Sequence, residues 1–197
     1  MLSDWSLECA PADPVLVVPW SDPANPDNHF VDLREHPYDL DHLPEAERFP
    51  PLMHALRALN APRSPVFTAK CDAWALAPEE LDQLRLNLDI DLTHTILPAG
   101  FSSYIDLLLR ERSRFTSIHY HQQLLDRLAR RATPLDHPHA MLDCVLRPAL
   151  VDLTTPQEGF AITLYIKALG PDPASASENW AAALDATVAL LRSKDFI

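Results

Sequence analysis

Glycine is scarce in this chain of 197 residues: Gly100, Gly159 and Gly170 are the only three, and each is isolated. A loop that cradles a phosphate turns several backbone N–H groups onto the anion and needs glycines close together. Neither the dinucleotide fingerprint nor the P-loop pattern can be written on these three, and the G-x-S-x-G elbow and H-E-x-x-H are also missing. No nucleotide or other cofactor is therefore expected. Cysteine is just as sparse. Cys9, Cys71 and Cys144 are far apart and odd in number, with no C-x-x-C pair. That excludes a disulfide framework, a zinc knuckle and a dithiol redox site, and leaves Cys71 and Cys144 as small buried hydrophobes.

Long apolar runs are missing too; the runs present are short, such as Val15 to Val18 and Val188 to Leu191. A spanning helix needs roughly 18 or more consecutive apolar residues, so no membrane segment is expected. The first twelve residues carry Asp4 and Glu8 with no Lys or Arg, unlike a secretory signal. A soluble, cytoplasmic protein is the expectation. Positive charge is in deficit, with 16 Lys and Arg against 28 Asp and Glu, a formal net charge of -12. Such a field repels a polyanion, and few aromatic residues interleave with the arginines as stacking platforms, so nucleic acid is not an expected partner.

What remains is ordinary globular material, 47% hydrophobic and 22% charged, with 19 prolines that stiffen the loops. The pattern predicts one α+β domain over residues 1–197, a mixed, mostly antiparallel sheet with helices packed on it and a helix at the C-terminus. Residues 1–13 read as a loose or docked tail. Strands are expected over Pro14 to Trp20 and Phe30 to Arg34, and a helix over Pro50 to Asn60, where proline suits the first turn. The alternation in Pro65 to Leu76 is that of a strand, with Phe67, Ala69, Cys71 and Ala73 inward and Val66, Thr68, Lys70, Asp72 and Trp74 outward. A short helix from Pro78 and a strand from Leu88 to Leu97 follow. From Phe101 to Leu128 the apolar spacing reads as helical, as one long helix or two. Strands over Ala149 to Leu153 and Phe160 to Leu169 precede a last helix opened by a Ser175–Glu178 capping box, with Trp180, Leu184, Val188 and Leu191 buried and Arg192 and Lys194 at its end.

Two charged residues on one face of an apolar strand cost free energy unless paired or solvated. Lys70 and Asp72 meet that description, and Asp32 and Arg34 repeat the spacing. If their strands were neighbours, the four would form a polar floor for a ligand. A second patch is basic: residues 110–131 hold Arg110, Arg112, Arg114, Arg127, Arg130 and Arg131 against Glu111 and Asp126. A face of this kind suits a small anionic molecule or a protein partner, with a homodimer as one form of it. The favoured reading is a non-catalytic ligand- or protein-binding regulatory domain. The alternative is a metal-assisted enzyme built on His119, His121, His137 and His139, four of nine histidines. On a helix His119 and His121 would point about 200° apart, whereas the 137–139 loop could wrap an ion.

Overall fold

The computed structural model describes residues 1–89 and 99–193, with residues 26 and 27 as backbone only. Four long strands make the body of one sheet: β5 (Val66–Ala75), β6 (Ala99–Leu109), β7 (Ala140–Val151) and β8 (Gln157–Gly170). They are antiparallel in the order β7-β8-β6-β5, and two short strands, β1 (Leu2–Leu7) and β2 (Leu16–Val18), lie end to end and parallel along the outer edge of β7. The sheet is thus mixed and mostly antiparallel. A separate hairpin of β3 (Ser21–Asp22) and β4 (Asn25–His29) follows β2.

Helices cover one face. They are α2 (Pro50–Asn60), α5 (Ile118–Ala132) and α6 (Pro173–Leu191), with the shorter α1 (Pro44–Arg48), α3 (Pro78–Asn87) and α4 (Arg112–Phe115) at the margins. None of the described helices is long and apolar enough to cross a membrane. The helix side of the sheet takes Ser103, Ile105 and Leu107 from β6 and Ile162, Leu164 and Ile166 from β8, register partners of one another. Trp180 of α6 locks the layer: it is fully buried, donates its indole N–H to Ser103 Oγ at 2.9 Å, and lies 4.7 Å from the Phe101 ring and 6.4 Å from Phe49. Trp180, Leu184, Val188 and Leu191 are all buried, as the spacing requires.

The sequence reading differs from this fold in several places, among them the strand expected from Ala149, which as β7 already starts at Ala140. Residues 99–132 are not helical throughout: β6 comes first, and only α4 and α5 are helices. Both faces of β6 are covered, so Ile105, Leu107, Leu108 and Leu109 are all buried and the alternation that marks a strand is lost. Residues 1–13, read as a loose or docked tail, supply β1, which pairs in register from Leu2↔Met141 to Leu7↔Leu146. Phe30 to Arg34 is not a strand, since β4 ends at His29 and Leu33 to Glu35 form a turn. The α6 cap lies three residues earlier than expected: Asp172 accepts from Ser175 N at 2.9 Å and Pro173 opens the helix. Aspartate caps at least as well as serine, and proline is preferred at the first helical position. Leu88 and Asp89 form the turn that ends α3; the rest of the strand expected there, 90–97, lies outside the described residues, as does Lys194.

Candidate functional site

The face turned away from the helices carries the polar residues. Across it run register rows that place Asp143, Tyr165, Tyr104 and Asp72 side by side, then Val145, Thr163 and Asp106. The chain between β2 and the hairpin passes over part of this face. Asp152 N donates to Val18 O at the β7 edge, and two residues later Trp20 donates its indole N–H to Ala69 O of β5, at the opposite edge. Pro14, Val15 and Leu16 roof a cavity of about 240 Å³ whose sheet side is Lys70, Tyr104, Asp106, Arg147, Thr163 and Tyr165.

A β-bulge delivers Lys70 to this cavity. The β5–β6 register slips between Thr68 and Cys71, so that Ala69 and Lys70 together face Asp106. An inserted residue re-aims the side chains beside it. Before the bulge Phe67 shares the face of Leu108, and after it Asp72 and Trp74 share the face of Tyr104 and Ser102. Phe67 therefore lies on the face opposite to Cys71 and Ala73, which strict alternation from Pro65 to Leu76 does not foresee. Lys70 Nζ stands 4.7 Å from the centre of the Trp20 ring. Lys70 also borders a larger recess of about 480 Å³ along the outer side of β5, with Trp20, His42 and Glu45.

Asp106 is the buried charge at the centre, 4% exposed, and it accepts the Thr163 hydroxyl hydrogen bond at 2.5 Å. Burial pushes its carboxyl above the usual carboxylate range; the Thr163 bond and the Arg147 and Lys70 charges work against that push without cancelling it. Arg147 gives one nitrogen to Glu8 at 3.1 Å, and its buried Nε has no partner among the described residues. Burial, followed by the Asp106 charge, also raises Tyr104, and burial lifts the Cys71 thiol to about 12, with Glu45, Asp72 and Asp106 adding to it. Cys71 and Cys144 accordingly keep their protons.

The raised Asp106 carboxyl has a definite pH signature. A folded-state value above the unfolded one stabilises the fold fully below the unfolded pKa, and that contribution is lost as pH rises through the folded value. Asp106→Asn keeps an acceptor for Thr163 but does not ionise. In urea titrations the difference between D106N and the parent should therefore move in favour of D106N from pH 3 to pH 7. Movement in the opposite direction would show that Asp106 is better stabilised ionised than neutral.

Asp32 and Arg34 do not join Lys70 and Asp72 in one cavity. Arg34 forks onto Asp32 through Nε at 2.8 Å and Nη2 at 2.6 Å, with its guanidinium 4.1 Å from the centre of the Phe67 ring. Burial would raise Asp32, but the Arg34 hydrogen bonds and charge outweigh it and hold the carboxyl below its usual range. The histidines are also dispersed. His121 is fully buried, with Nδ1 2.9 Å from Ser117 O and its ring against Phe160, and burial lowers its pKa; His119 is exposed and bonds Gln123. His137 and His139 lie in the loop between α5 and β7. Among the described residues no three His, Cys, Asp or Glu side chains meet in a way that could hold a metal ion.

The basic stretch is likewise divided. Arg110 follows β6, Arg112 and Arg114 belong to α4, and Arg127, Arg130 and Arg131 to α5. Arg114 pairs with Glu111 at 2.7 Å, Arg130 donates to Asp126 O, and Arg131 reaches Ser193. Sequence reasoning did not single out Asp106, Thr163, Tyr104, Tyr165 or Arg147. The available signal was the pair of outward positions Thr163 and Tyr165 on β8; Asp106 was hidden inside a segment read as helical. No family model matches this chain, and comparison with curated proteins and with solved structures gives no match either. The class defined by fold and site is an α+β domain with a helix-covered sheet and a polar second face partly roofed by its own chain.

Proposed function

We propose that the protein is a non-catalytic binding domain that holds a small organic carboxylate over Asp106, between Lys70 and Arg147. The observation that carries this reading is the convergence of a buried carboxyl and two cationic side chains on one cavity that is not filled by protein. Burial disfavours charge on Asp106, and beside it the floor offers donors: the Lys70 ammonium, the Arg147 guanidinium and the hydroxyls of Tyr104 and Tyr165. Buried donors of this kind favour an anionic acceptor, and charge-assisted bonds are the stronger ones. Pro14, Val15 and Leu16 supply an apolar wall for the rest of the ligand. A volume of about 240 Å³ lies under the range typical of pockets for drug-sized ligands, so the occupant is small.

Benzoate and succinate, added to the ¹⁵N-labelled full chain, provide the test. Saturable amide shifts are expected at Lys70, Tyr104, Asp106 and Thr163. Lys70→Ala should weaken binding about tenfold or more, the loss of one charge-assisted hydrogen bond. Absence of saturable shifts with both acids, or equal affinity in K70A, would falsify this reading.

A further inference from the structure

A second cavity, of about 250 Å³, opens at the other end of the polar face, where Arg34, Arg110 and Arg112 line it together with Thr154, Thr155 and Glu35. The three arginines that line it come from three separate segments: the turn after β4, the residue that follows β6, and the first residue of α4. Two carboxylates, Asp32 and Glu35, offset part of this charge, and three guanidinium groups against two carboxylates leave one positive charge in excess.

Two of the three are held rigidly by bonds that leave donors over. Arg34 spends Nε and Nη2 on Asp32 and stacks on Phe67. Arg110 gives Nε to Val66 O at 3.0 Å and Nη2 to Asn60 O at 2.9 Å and Ala61 O at 3.3 Å. A guanidinium has five N–H donors, so the Nη1 group of each remains without a partner among the described residues. Arg110 is held below the usual guanidinium range, first by partial burial and then by the Arg34 charge, while Asp32 and Glu35 act the other way. The Arg112 side chain is exposed and makes no hydrogen bond or ion pair among the described residues. The turn between β7 and β8 adds Thr154 and Thr155 to the lining.

We propose that this cavity is a binding site for a phosphate group, gripped by Arg34 and Arg110 and closed by Arg112. A carboxylate presents one planar fork, which a single arginine satisfies. A tetrahedral oxyanion presents several faces, and donors arriving from three directions match it. Because Arg34 and Arg110 are already fixed by Asp32, Phe67 and the backbone carbonyls, little side-chain entropy is lost when the anion binds. Glu35 is the opposing carboxylate and sets the affinity from the other side. The site is separate from the one over Asp106 and does not depend on it.

The test is a titration of the full chain with inorganic phosphate and, in parallel, with phenyl phosphate, followed by the arginine Nε–H resonances. Saturable shifts of Arg34, Arg110 and Arg112 are expected. Arg112→Ala, which removes an exposed side chain with no internal bond, should weaken binding about tenfold, and Glu35→Gln should tighten it. Both effects should shrink as salt is added. Tighter binding of phenyl phosphate than of inorganic phosphate would identify an ester as the ligand, and equal binding the free anion. Lys70→Ala should leave phosphate binding unchanged, just as R112A should leave benzoate binding unchanged. Shifts that do not saturate with either probe, or that are the same in R112A and the parent, would overturn the proposal.

Discussion

Replacing Trp180 by Ala is expected to cost about 3–5 kcal/mol, the range for emptying a large aromatic site in a packed core. The side chain is fully buried at the point where α6 meets β6 and the start of α2, with Phe49 and Phe101 rings against it. Those rings cannot close the gap without leaving their own contact, 5.3 Å apart and edge-on. In a domain of this size each kcal/mol lowers Tm by roughly 2–4 °C. Trp180→Phe separates two contributions. It keeps an aromatic ring but removes the donor to Ser103 Oγ, itself fully buried, and should cost about 1–3 kcal/mol. Thermal unfolding of both variants checks the order. If W180A lost no more than W180F, the ring packing would be contributing little and the hydrogen bond would dominate.

Asn60→Leu should cost about 2–4 kcal/mol, because an apolar side chain of similar size leaves buried polar groups without partners. Asn60 ends α2 and ties it to β5: Nδ2 donates to Leu56 O at 2.9 Å and to Thr68 Oγ1 at 2.8 Å, while Oδ1 accepts from Thr68 N at 3.0 Å. Both Asn60 and Thr68 are buried, so water does not readily replace these bonds. The Thr68→Val change in the same background removes one orphaned group, the hydroxyl, but not the N–H. N60L/T68V should therefore be less destabilised than the sum of the single variants, the non-additivity expected of a shared network. Strict additivity in urea titrations would show that the three bonds are not a unit. The same residue bears on the phosphate cavity, since the Asn60 carbonyl is one of the acceptors that hold Arg110 in place.

Several parts of this architecture were readable one residue at a time. The α+β class, the strand at Val66–Ala75, the Pro50–Asn60 helix, the start of α3 at Pro78 and the buried stripe of α6 all follow from local rules: proline at a first helical turn, period-2 alternation, and apolar spacing of four. The strand β6 was not readable, because a strand buried on both sides shows no alternation and Phe101, Ile105 and Leu108 happen to fall at helical intervals. Lys70 stood out as a charge on an apolar strand, yet its position opposite Asp106 depends on a bulge that alternation does not announce.

What the sequence determined by itself was the set of exclusions and the propensity of each segment. Three isolated glycines cannot build a phosphate loop, three distant cysteines cannot build a disulfide framework, and local periodicity sets helix or strand wherever one face is wet and the other dry. Which charged side chains meet was decided only in three dimensions. Asp106 reaches Thr163 across 57 positions of chain, and Arg110 reaches Val66 across 44. Arg34 lines one cavity and Lys70 another, although their spacing patterns are alike. The physical reason is that propensity acts through the backbone within a few residues, whereas strand order, register slips and the path of the chain across the sheet follow from burying apolar surface that comes from the whole molecule at once.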